Sequence, residues 1–175
     1  MQIISNTNNN HLYFVQTIVK NHDYLLIASP YLASDMLGFL SKFNFQHVEK
    51  IDFITTFKPR DFEQITEPKI LLSIFDYFAK NVKHAKLQLH IDNNLHGKIY
   101  IGQSKHQQCA LVSSANFTNN GMLMNHEWGV AFSDLPSISD LKAQIFQEIE
   151  YEDVTYTQIK QADLQAKVYL ENHPE

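Results

Sequence analysis

The chain has 175 residues, 44% of them hydrophobic and with 12 Phe and 8 Tyr, so one domain with a sizeable core is expected. With only 5 Gly and 5 Pro, it does not resemble a disordered or linker-rich protein. The single cysteine, Cys109, excludes an intramolecular disulfide and a multi-thiolate metal site, and it favours a reducing compartment. The net charge of −5 does not predict broad binding to nucleic acid.

The first ten residues, MQIISNTNNN, lack the basic and apolar regions of a secretory signal. No apolar segment approaches the roughly 20 residues that cross a bilayer. We therefore expect a soluble, cytoplasmic protein with no membrane association. Because of its Asn-rich composition, the segment 1–10 is expected to be frayed.

Hydrophobic spacing predicts alternating helices and strands in the first half of the chain. The expected helices cover 11–21, the segment from an N-cap at Ser34 through Phe43, and the segment from Thr66 and Pro68 through Phe78; the expected strands cover 24–29, 51–56 and 87–91. Three short strands near 98–101, 110–113 and 127–132 then follow with only loops between them. This order predicts a single α/β domain, 1–175, with a mixed β-sheet.

Two C-terminal helices are expected within 137–175, one capped by Ser137 and one over 158–170. The last helix is apolar on two sides, with Ile159 and Ala166 on one side and Leu164 and Val168 on the other. A second apolar side suggests another surface to cover, with a partner subunit as one candidate.

The chemistry is concentrated between His96 and Glu127. Side chains two residues apart on a strand share a face, so His96 and Lys98 are expected to point the same way. Ser114 and Asn116 repeat this spacing at the next strand. Imidazole, ammonium, hydroxyl and amide groups would then face one small anion. Glu127 is a candidate to accept the other imidazole N–H, which would fix the tautomer and raise the nucleophilicity of the ring.

Each of these residues alone has a simpler interpretation. The chain has nine histidines, so His-x-Lys by itself indicates a solvated strand face. Ser-x-Asn is usually a turn or a cap, Glu127 alone would be a surface carboxylate, and Trp128 is expected in the core. The combination, in this order, is what points to a site.

The combination resembles the phospholipase D superfamily, whose signature is His-x-Lys followed by Gly/Ser-Ser-x-Asn and a downstream Glu. The matching residues are His96, Lys98, Ser114, Asn116 and Glu127. The segment YLLIASPYL is also similar to the first strand and loop of these domains. The resemblance covers the chain from about Asn10 to Asp134 and implies an α/β/α sandwich, a mixed sheet with helices on both faces.

One position departs from the family pattern. The usual Asp, five residues after the Lys, corresponds to Gln103. In lacking this Asp, and in its SSANFTNNG and NHEWG segments, the sequence looks most similar to a branch of metal-independent restriction endonucleases. The departure counts more against lipid hydrolysis than against phosphodiesterase chemistry.

The resemblance implies a two-step displacement that uses no metal or other cofactor. One His attacks phosphorus to give a phosphohistidine, a second His protonates the leaving oxygen, and Lys98, Asn116 and Ser114 stabilise the phosphoryl charge. Because the chain holds one such motif, a homodimer in which two copies of His96 form one centre is expected. The alternative acids His90, His106 and His126 lack the accompanying motif.

The leading functional hypothesis is therefore a DNA endonuclease, with other nucleic acids left open as substrates. Sequence specificity would come from loops, a partner protein or a separate domain. The candidates for a phosphate-guiding patch are Lys58, Arg60, Lys105 and His106. Two other hypotheses remain, a phospholipid phosphodiesterase and a non-catalytic nucleic-acid-binding module of a defence or repair complex.

Overall fold

A computed structural model describes residues 1–8, 10–59 and 67–174. Its strands are β1 (Gln2–Ser5), β2 (Tyr24–Ala28), β3 (Lys50–Thr55), β4 (Lys86–Ile91), β5 (Lys98–Gln103), β6 (Gln108–Ser113), β7 (Trp128–Phe132) and β8 (Tyr151–Val154). Its helices are α1 (His11–Asn21), α2 (Met36–Leu40), α3 (Pro68–Asn81), α4 (Leu135–Gln147) and α5 (Tyr156–Asn172), with a π-helical turn at Asn120–Met124.

All eight strands form one sheet in the order β1-β7-β6-β5-β2-β3-β4-β8. β2 pairs in parallel with β3, and β3 with β4, whereas the other neighbours are antiparallel. The predicted mixed sheet is therefore confirmed. At one end of this sheet β2, β3 and β4 finish, β5 starts, β6 finishes and β7 starts. We call it the site end, and the opposite end the far end.

Helices cover both faces of the sheet, as the resemblance implied, but unequally. The larger core cluster packs α1, α2, α3 and α5 against one face, with Leu25, Phe53 and Leu111 among its buried strand residues. On the opposite face α4 contributes Ile138 to a smaller cluster with Leu26. One helix cannot span eight strands, so part of the α4 face is left open.

The predicted frayed start is wrong for its first half. Gln2–Ser5 pairs with β7 along its whole length, and Ile4 is fully buried. The neighbouring Ile3 and Ile4 favour an extended strand, and the free edge of β7 gives that strand a partner. The prediction of a frayed start rested on the Asn-rich stretch and not on Ile3 and Ile4, which precede it.

The predicted N-caps of two helices need correction, and one strand was not predicted. β8 was not predicted, because Tyr151–Val154 is short and mostly exposed. The N-caps of α2 and α4 are Asp35 and Asp134 rather than Ser34 and Ser137, and each carboxylate accepts a backbone N–H three residues later. The predicted cap Thr66 lies outside the described residues.

The last helix is apolar on two sides, as predicted. Ile159 and Ala166 are buried against the core, whereas Leu164 and Val168 are exposed. None of the described helices is long and apolar enough to cross a membrane.

Candidate active site

Strand pairing brings the predicted site residues to the site end. Lys98 at the start of β5 is the pairing partner of Ser113 at the end of β6, and Ser113 pairs in turn with Gly129 of β7. Directly opposed residues of antiparallel strands lie about 5 Å apart. His96, Ser114 and Glu127, which lie within two residues of these paired positions, are therefore grouped on three adjacent strands.

Lys98 is only 9% exposed. Across residues 1–8, 10–59 and 67–174 its ammonium group makes no hydrogen bond and no ion pair. The side chain of Lys98 is thus largely buried, whereas its ammonium group keeps contact with solvent, an arrangement suited to an anionic ligand at this end of the sheet.

His96 lies in the connection between β4 and β5, two residues before Lys98, and is exposed. A Cβ added at the intervening Gly97 would meet only the Ile99 side chain, at 3.6 Å, so this connection is not packed tightly. His96 therefore presents an exposed imidazole two residues from the Lys98 ammonium group, an arrangement that suits a nucleophile and a cation acting on one anionic ligand.

Glu127 is held by a serine rather than by the expected histidine. The Ser114 hydroxyl donates to Glu127 Oε2, and Asn125 Nδ2 donates to Glu127 Oε1 at 3.4 Å. Ser114 N also donates to Trp128 O at 3.1 Å, which places the serine beside the residue before Trp128. No contact in the described part of the chain joins Glu127 to His96, so that predicted pairing is not observed.

The loop that carries Asn116 is fixed from below by two residues that the sequence analysis missed. The Tyr100 hydroxyl donates to Ala115 O at 2.7 Å, and Phe117 N donates to Ser29 Oγ at 3.0 Å. Burial raises the pKa of Tyr100 well above its ordinary value, which keeps the phenol protonated as a donor. Tyr100 could have been predicted as a neighbour of the site, because it follows Lys98 by two positions and so lies on the same face of the strand.

The same loop packs on the π-helical turn through a glycine. A Cβ at Gly121 would lie 2.4 Å from the carbonyl oxygen of Asn116, closer than a side chain can approach. Gly121 therefore allows the two backbones to touch. This contact restrains the backbone of Asn116.

A fully buried histidine, His11, also reaches the site end. Its Nε2 lies 2.7 Å from Ser113 Oγ, and its Nδ1 lies 2.8 Å from Asn6 Oδ1. The backbone N–H of Ala115 donates to the same Ser113 oxygen at 3.0 Å. Asn6 falls within the segment 1–10 that was expected to be frayed, and His11 begins the predicted helix 11–21, so neither was predicted to be a site residue.

His90, one of the alternative acids, lies in a different environment. It is buried on the α4 face, where its Nε2 lies 2.7 Å from Asp52 Oδ1. The N–H of Asp153 donates to its Nδ1 at 3.0 Å, so the ring proton is on Nε2 and points to Asp52. Both ring nitrogens are used within the fold, which removes His90 from consideration as the acid.

The basic residues proposed to guide phosphate are divided by the fold. Lys105 and His106 lie in the turn between β5 and β6, at the far end of the sheet. Lys58 follows β3 at the site end and is exposed, whereas Arg60 lies outside the described residues. Lys105 and His106 are therefore wrong as members of a patch beside the site, and the same placement removes His106 as an acid.

Gln103 also belongs to the far end. Its Oε1 accepts a hydrogen bond from Lys142 Nζ of α4 at 2.8 Å. A strand advances about 3.3 Å per residue, so five residues separate it from Lys98 by about 16 Å. Position 103 therefore acts in attaching α4 to the sheet and does not contact the site.

The surface beside Glu127 is apolar. Trp128, which was expected in the core, is 60% exposed, and its ring makes an edge contact with the exposed His126 at a centroid distance of 6.4 Å.

Within the described chain, no group of three or more His, Cys, Asp or Glu side chains is arranged to hold a metal ion.

Comparisons with solved structures support the fold. The structure of the phospholipase D family member Nuc from Salmonella typhimurium is 16% identical and superposes with a TM-score of 0.57 over 86% of this chain and 95% of that chain. NucT from Helicobacter pylori is 15% identical, with a TM-score of 0.56 over 85% of this chain and 96% of that chain. Phosphatidylserine synthase from Haemophilus influenzae is 14% identical, with a TM-score of 0.60 over 97% of this chain and 44% of that chain.

No curated protein sequence matches the chain at a significant level. The model of the NgoFVII restriction endonuclease N-terminal PLD domain, in contrast, matches residues 7–163. This match includes the strands and loops that carry every residue of the predicted site. The chain therefore belongs to the family of the NgoFVII restriction endonuclease N-terminal PLD domain and has the phospholipase D-like fold.

Proposed function

We propose that this protein is a metal-independent phosphodiesterase that cleaves DNA through a phosphohistidine intermediate. The carrying observation is the Lys98 ammonium group, which ends a largely buried side chain, has no ion-pair partner in the described chain and lies two residues from the exposed His96. The restriction endonuclease family supports DNA as the substrate. Any preference for a DNA sequence would come from loops, a partner protein or a further domain.

In the first step a neutral His96 nitrogen attacks phosphorus. A P–N bond forms as the P–O bond to the leaving nucleotide breaks, and a second imidazolium gives its proton to the departing oxygen. In the second step that imidazole takes a proton from water, whose oxygen attacks phosphorus and releases His96. Lys98 and the Asn116 amide stabilise the charge on the phosphoryl oxygens in both steps.

Ser114 has a different part in this mechanism from the one its sequence motif suggested. Its single proton is directed to the Glu127 carboxylate, so it is not free to donate to a phosphoryl oxygen. We assign Ser114 to positioning Glu127. Glu127 would then orient an imidazole of the histidine pair by accepting its N–H.

The acid is supplied by His96 of a second copy of the chain. In-line displacement requires the nucleophile and the acid on opposite sides of phosphorus, and a two-fold axis through one phosphate satisfies this requirement with two identical half-sites. The protein is then active only as a homodimer.

The uncovered part of the α4 face fits this second copy. Here Ile3 and Val112 both flank Val130 in the strand register, and Ile3 is 63% and Val112 40% exposed. Together with Trp128 they form a patch, the open face, that α4 does not reach. Because Trp128 directly follows Glu127, the open face adjoins the half-site, and a copy bound there would bring its own half-site close.

Cleavage tests the chemistry directly. The purified chain should cut DNA in excess EDTA, and His96→Ala should abolish cutting, whereas His106→Ala at the far end should cut like the wild type. Phosphorylated histidine should be trapped from a slow substrate in the wild type alone. Cutting by His96→Ala would overturn the assignment, and headgroup release from phosphatidylcholine vesicles without DNA cleavage would assign a lipid substrate instead.

Subunit mixing tests the shared site. If every centre needs two His96 side chains, equal amounts of wild-type and His96→Ala chains should leave about a quarter of the activity of an all-wild-type sample at the same total concentration. Independent sites would leave half. Adding Val112→Arg to the inactive chain should prevent this quenching, because a charge on the open face blocks association. Unchanged quenching would exclude the open face as the interface.

A further inference from the structure

We propose that His11 is a positioning residue of the active site, acting through Ser113 on the loop that carries Ser114 and Asn116. The inference rests on the proposed function, since it names a further residue of the same site. His11 is the first residue of α1 and is 102 residues from Ser113 in the sequence. The two are joined only by the fold.

The protonation of His11 follows from its partners. Asn6 Oδ1 accepts the backbone N–H of His11 at 2.9 Å, so this atom is an oxygen and not the amide nitrogen. The His11 Nδ1, 2.8 Å from the same oxygen, must therefore carry the proton. In the neutral ring Nε2 is then an acceptor, and the Ser113 hydroxyl donates a hydrogen bond to it at 2.7 Å.

This arrangement turns Ser113 into a fixed acceptor for the loop. Because its own O–H is directed to His11, Ser113 Oγ accepts a hydrogen bond from the backbone N–H of Ala115 at 3.0 Å. That bond closes the turn at which the chain leaves β6, and Asn116 follows immediately. A Ser113 hydroxyl free to rotate would share its proton with Trp128 O, 3.3 Å away, and would hold the turn less firmly.

Asn6 extends the network to the other side of the site. Its Nδ2 donates to Gly121 O at 2.9 Å and to Asn125 O at 2.8 Å. Gly121 packs on Asn116, and the Asn125 side chain contacts Glu127. The buried His11 and the half-buried Asn6 therefore restrain both segments that carry the proposed phosphate and carboxylate groups.

The two nitrogens of His11 can be tested separately. Gln places its amide end near the position of a histidine Nε2, whereas Asn places it near Nδ1. His11→Gln should therefore preserve an acceptor for Ser113, and His11→Asn should preserve only the bond to Asn6. We expect His11→Asn to lower kcat for DNA cleavage roughly 10- to 100-fold, since misplacement of site groups by about 1 Å has effects of this size. His11→Gln should retain most of kcat and the KM of the wild type.

The control is His22, a buried histidine at the other end of the same helix. Its Nδ1 lies 2.7 Å from Ile18 O, and a Cβ at Gly102 of the far end would touch its ring. His22→Asn should lower the urea midpoint of unfolding without lowering kcat. Rates for all variants are corrected for the folded fraction, so a purely structural role of His11 would give the His22 result.

Affinity for inorganic phosphate, measured by calorimetry, gives a second readout that does not require cleavage. His11→Asn should weaken phosphate binding, whereas His11→Gln and His22→Asn should not. Equal kcat and equal phosphate affinity in His11→Asn and the wild type would overturn the positioning role. A wild type that binds phosphate but cuts no nucleic acid would overturn the proposed substrate, and the order of phosphate affinities would still decide the role of His11.

Discussion

Two buried charged residues on opposite faces of this sheet are treated in opposite ways. Asp52 is 1% exposed and has a partner on every side, with the Tyr24 hydroxyl at 2.7 Å, the His90 ring at 2.7 Å and Lys50 Nζ at 3.6 Å. Lys98 is almost as buried, yet no described side chain compensates it. Asp52 is saturated by the fold, whereas Lys98 leaves its charge for something outside the chain.

The difference separates structural from functional burial. A paired buried charge costs little once its partners are in place, and it mainly fixes how elements meet. A charged group without a partner adds little to the stability of the fold, and a protein retains such a residue where a ligand completes it. On this basis Asp52 joins β2, β3 and β4 beneath α4, and Lys98 marks the anion site.

The largest expected effect comes from removing the unpaired charge. Lys98→Met should reduce DNA cleavage by about 1000-fold or more, because it deletes the main electrostatic stabilisation of the phosphoryl group. The same change should leave the free energy of unfolding nearly unchanged, since Met keeps the packing of the buried side chain and the ammonium group has no partner in the described chain to lose. Initial rates and urea denaturation measure the two quantities.

Lys105→Met is the matched control, because it removes a lysine from the exposed far-end turn. It should alter neither rate nor stability. Marked destabilisation by Lys98→Met would mean that Lys98 has a structural role, and the contrast with Asp52 would fail.

Removing the paired charge should give the reverse pattern. Asp52→Ala leaves the Tyr24 hydroxyl and the His90 N–H without their acceptor. We expect this change to lower the free energy of unfolding by about 3–5 kcal/mol. The kcat of the folded fraction should stay at the wild-type value, because the cluster lies on the α4 face. Urea denaturation and rates at low temperature check both statements.

Asp163→Ala serves as the control for this change. Its carboxylate pairs with Lys167 at 2.7 Å on the surface of α5, and such exposed pairs contribute about 0.3–0.5 kcal/mol. A comparable loss in the two variants would show that burial of Asp52 contributes nothing special.

The contrast between these residues also shows what a sequence can reveal. His96 and Lys98 were predictable from their His-x-Lys spacing, although only Lys98 lies on the strand and His96 precedes it in the connection, so the predicted common strand face is wrong. The bond between Ser114 and Glu127 was not predictable, because it depends on the register of β6 against β7. Local spacing carries the first kind of information, and only strand pairing carries the second.

The same limit explains the residues around the site. Asn6 and His11 look like part of a polar leader, and only the pairing of β1 with β7 gives them a fixed place. Asp52 reads as one polar residue in an apolar strand, with no local sign that Tyr24 and His90 reach it from the neighbouring strands. The core strands were predictable from the spacing of hydrophobic residues, but the polar groups buried between them were not.

The smallest expected effect is a pH dependence of stability in which the two buried networks act in different ranges. Burial, the larger influence, lowers the pKa of His11 below its ordinary 6.5, although the charge of Glu127 raises it. As pH falls below 6.5 the unfolded chain therefore binds a proton that the folded chain does not, and stability decreases by up to about 1.4 kcal/mol per pH unit. His11→Gln should remove this slope between pH 7.5 and the folded pKa, as measured by urea denaturation.

Asp52 contributes to the pH dependence in a lower range. Burial alone would raise its pKa, but the hydrogen bonds from His90 and Tyr24 and the charge of Lys50 more than offset burial and hold the pKa below 3.8. Its stabilisation is thus fully present above 3.8 and is lost as pH falls through the folded value. Asp52→Asn should flatten only this lower range and His11→Gln only the upper one. If either variant altered both ranges, the two networks would not be independent, and the separation between the site and the α4 face would have to be given up.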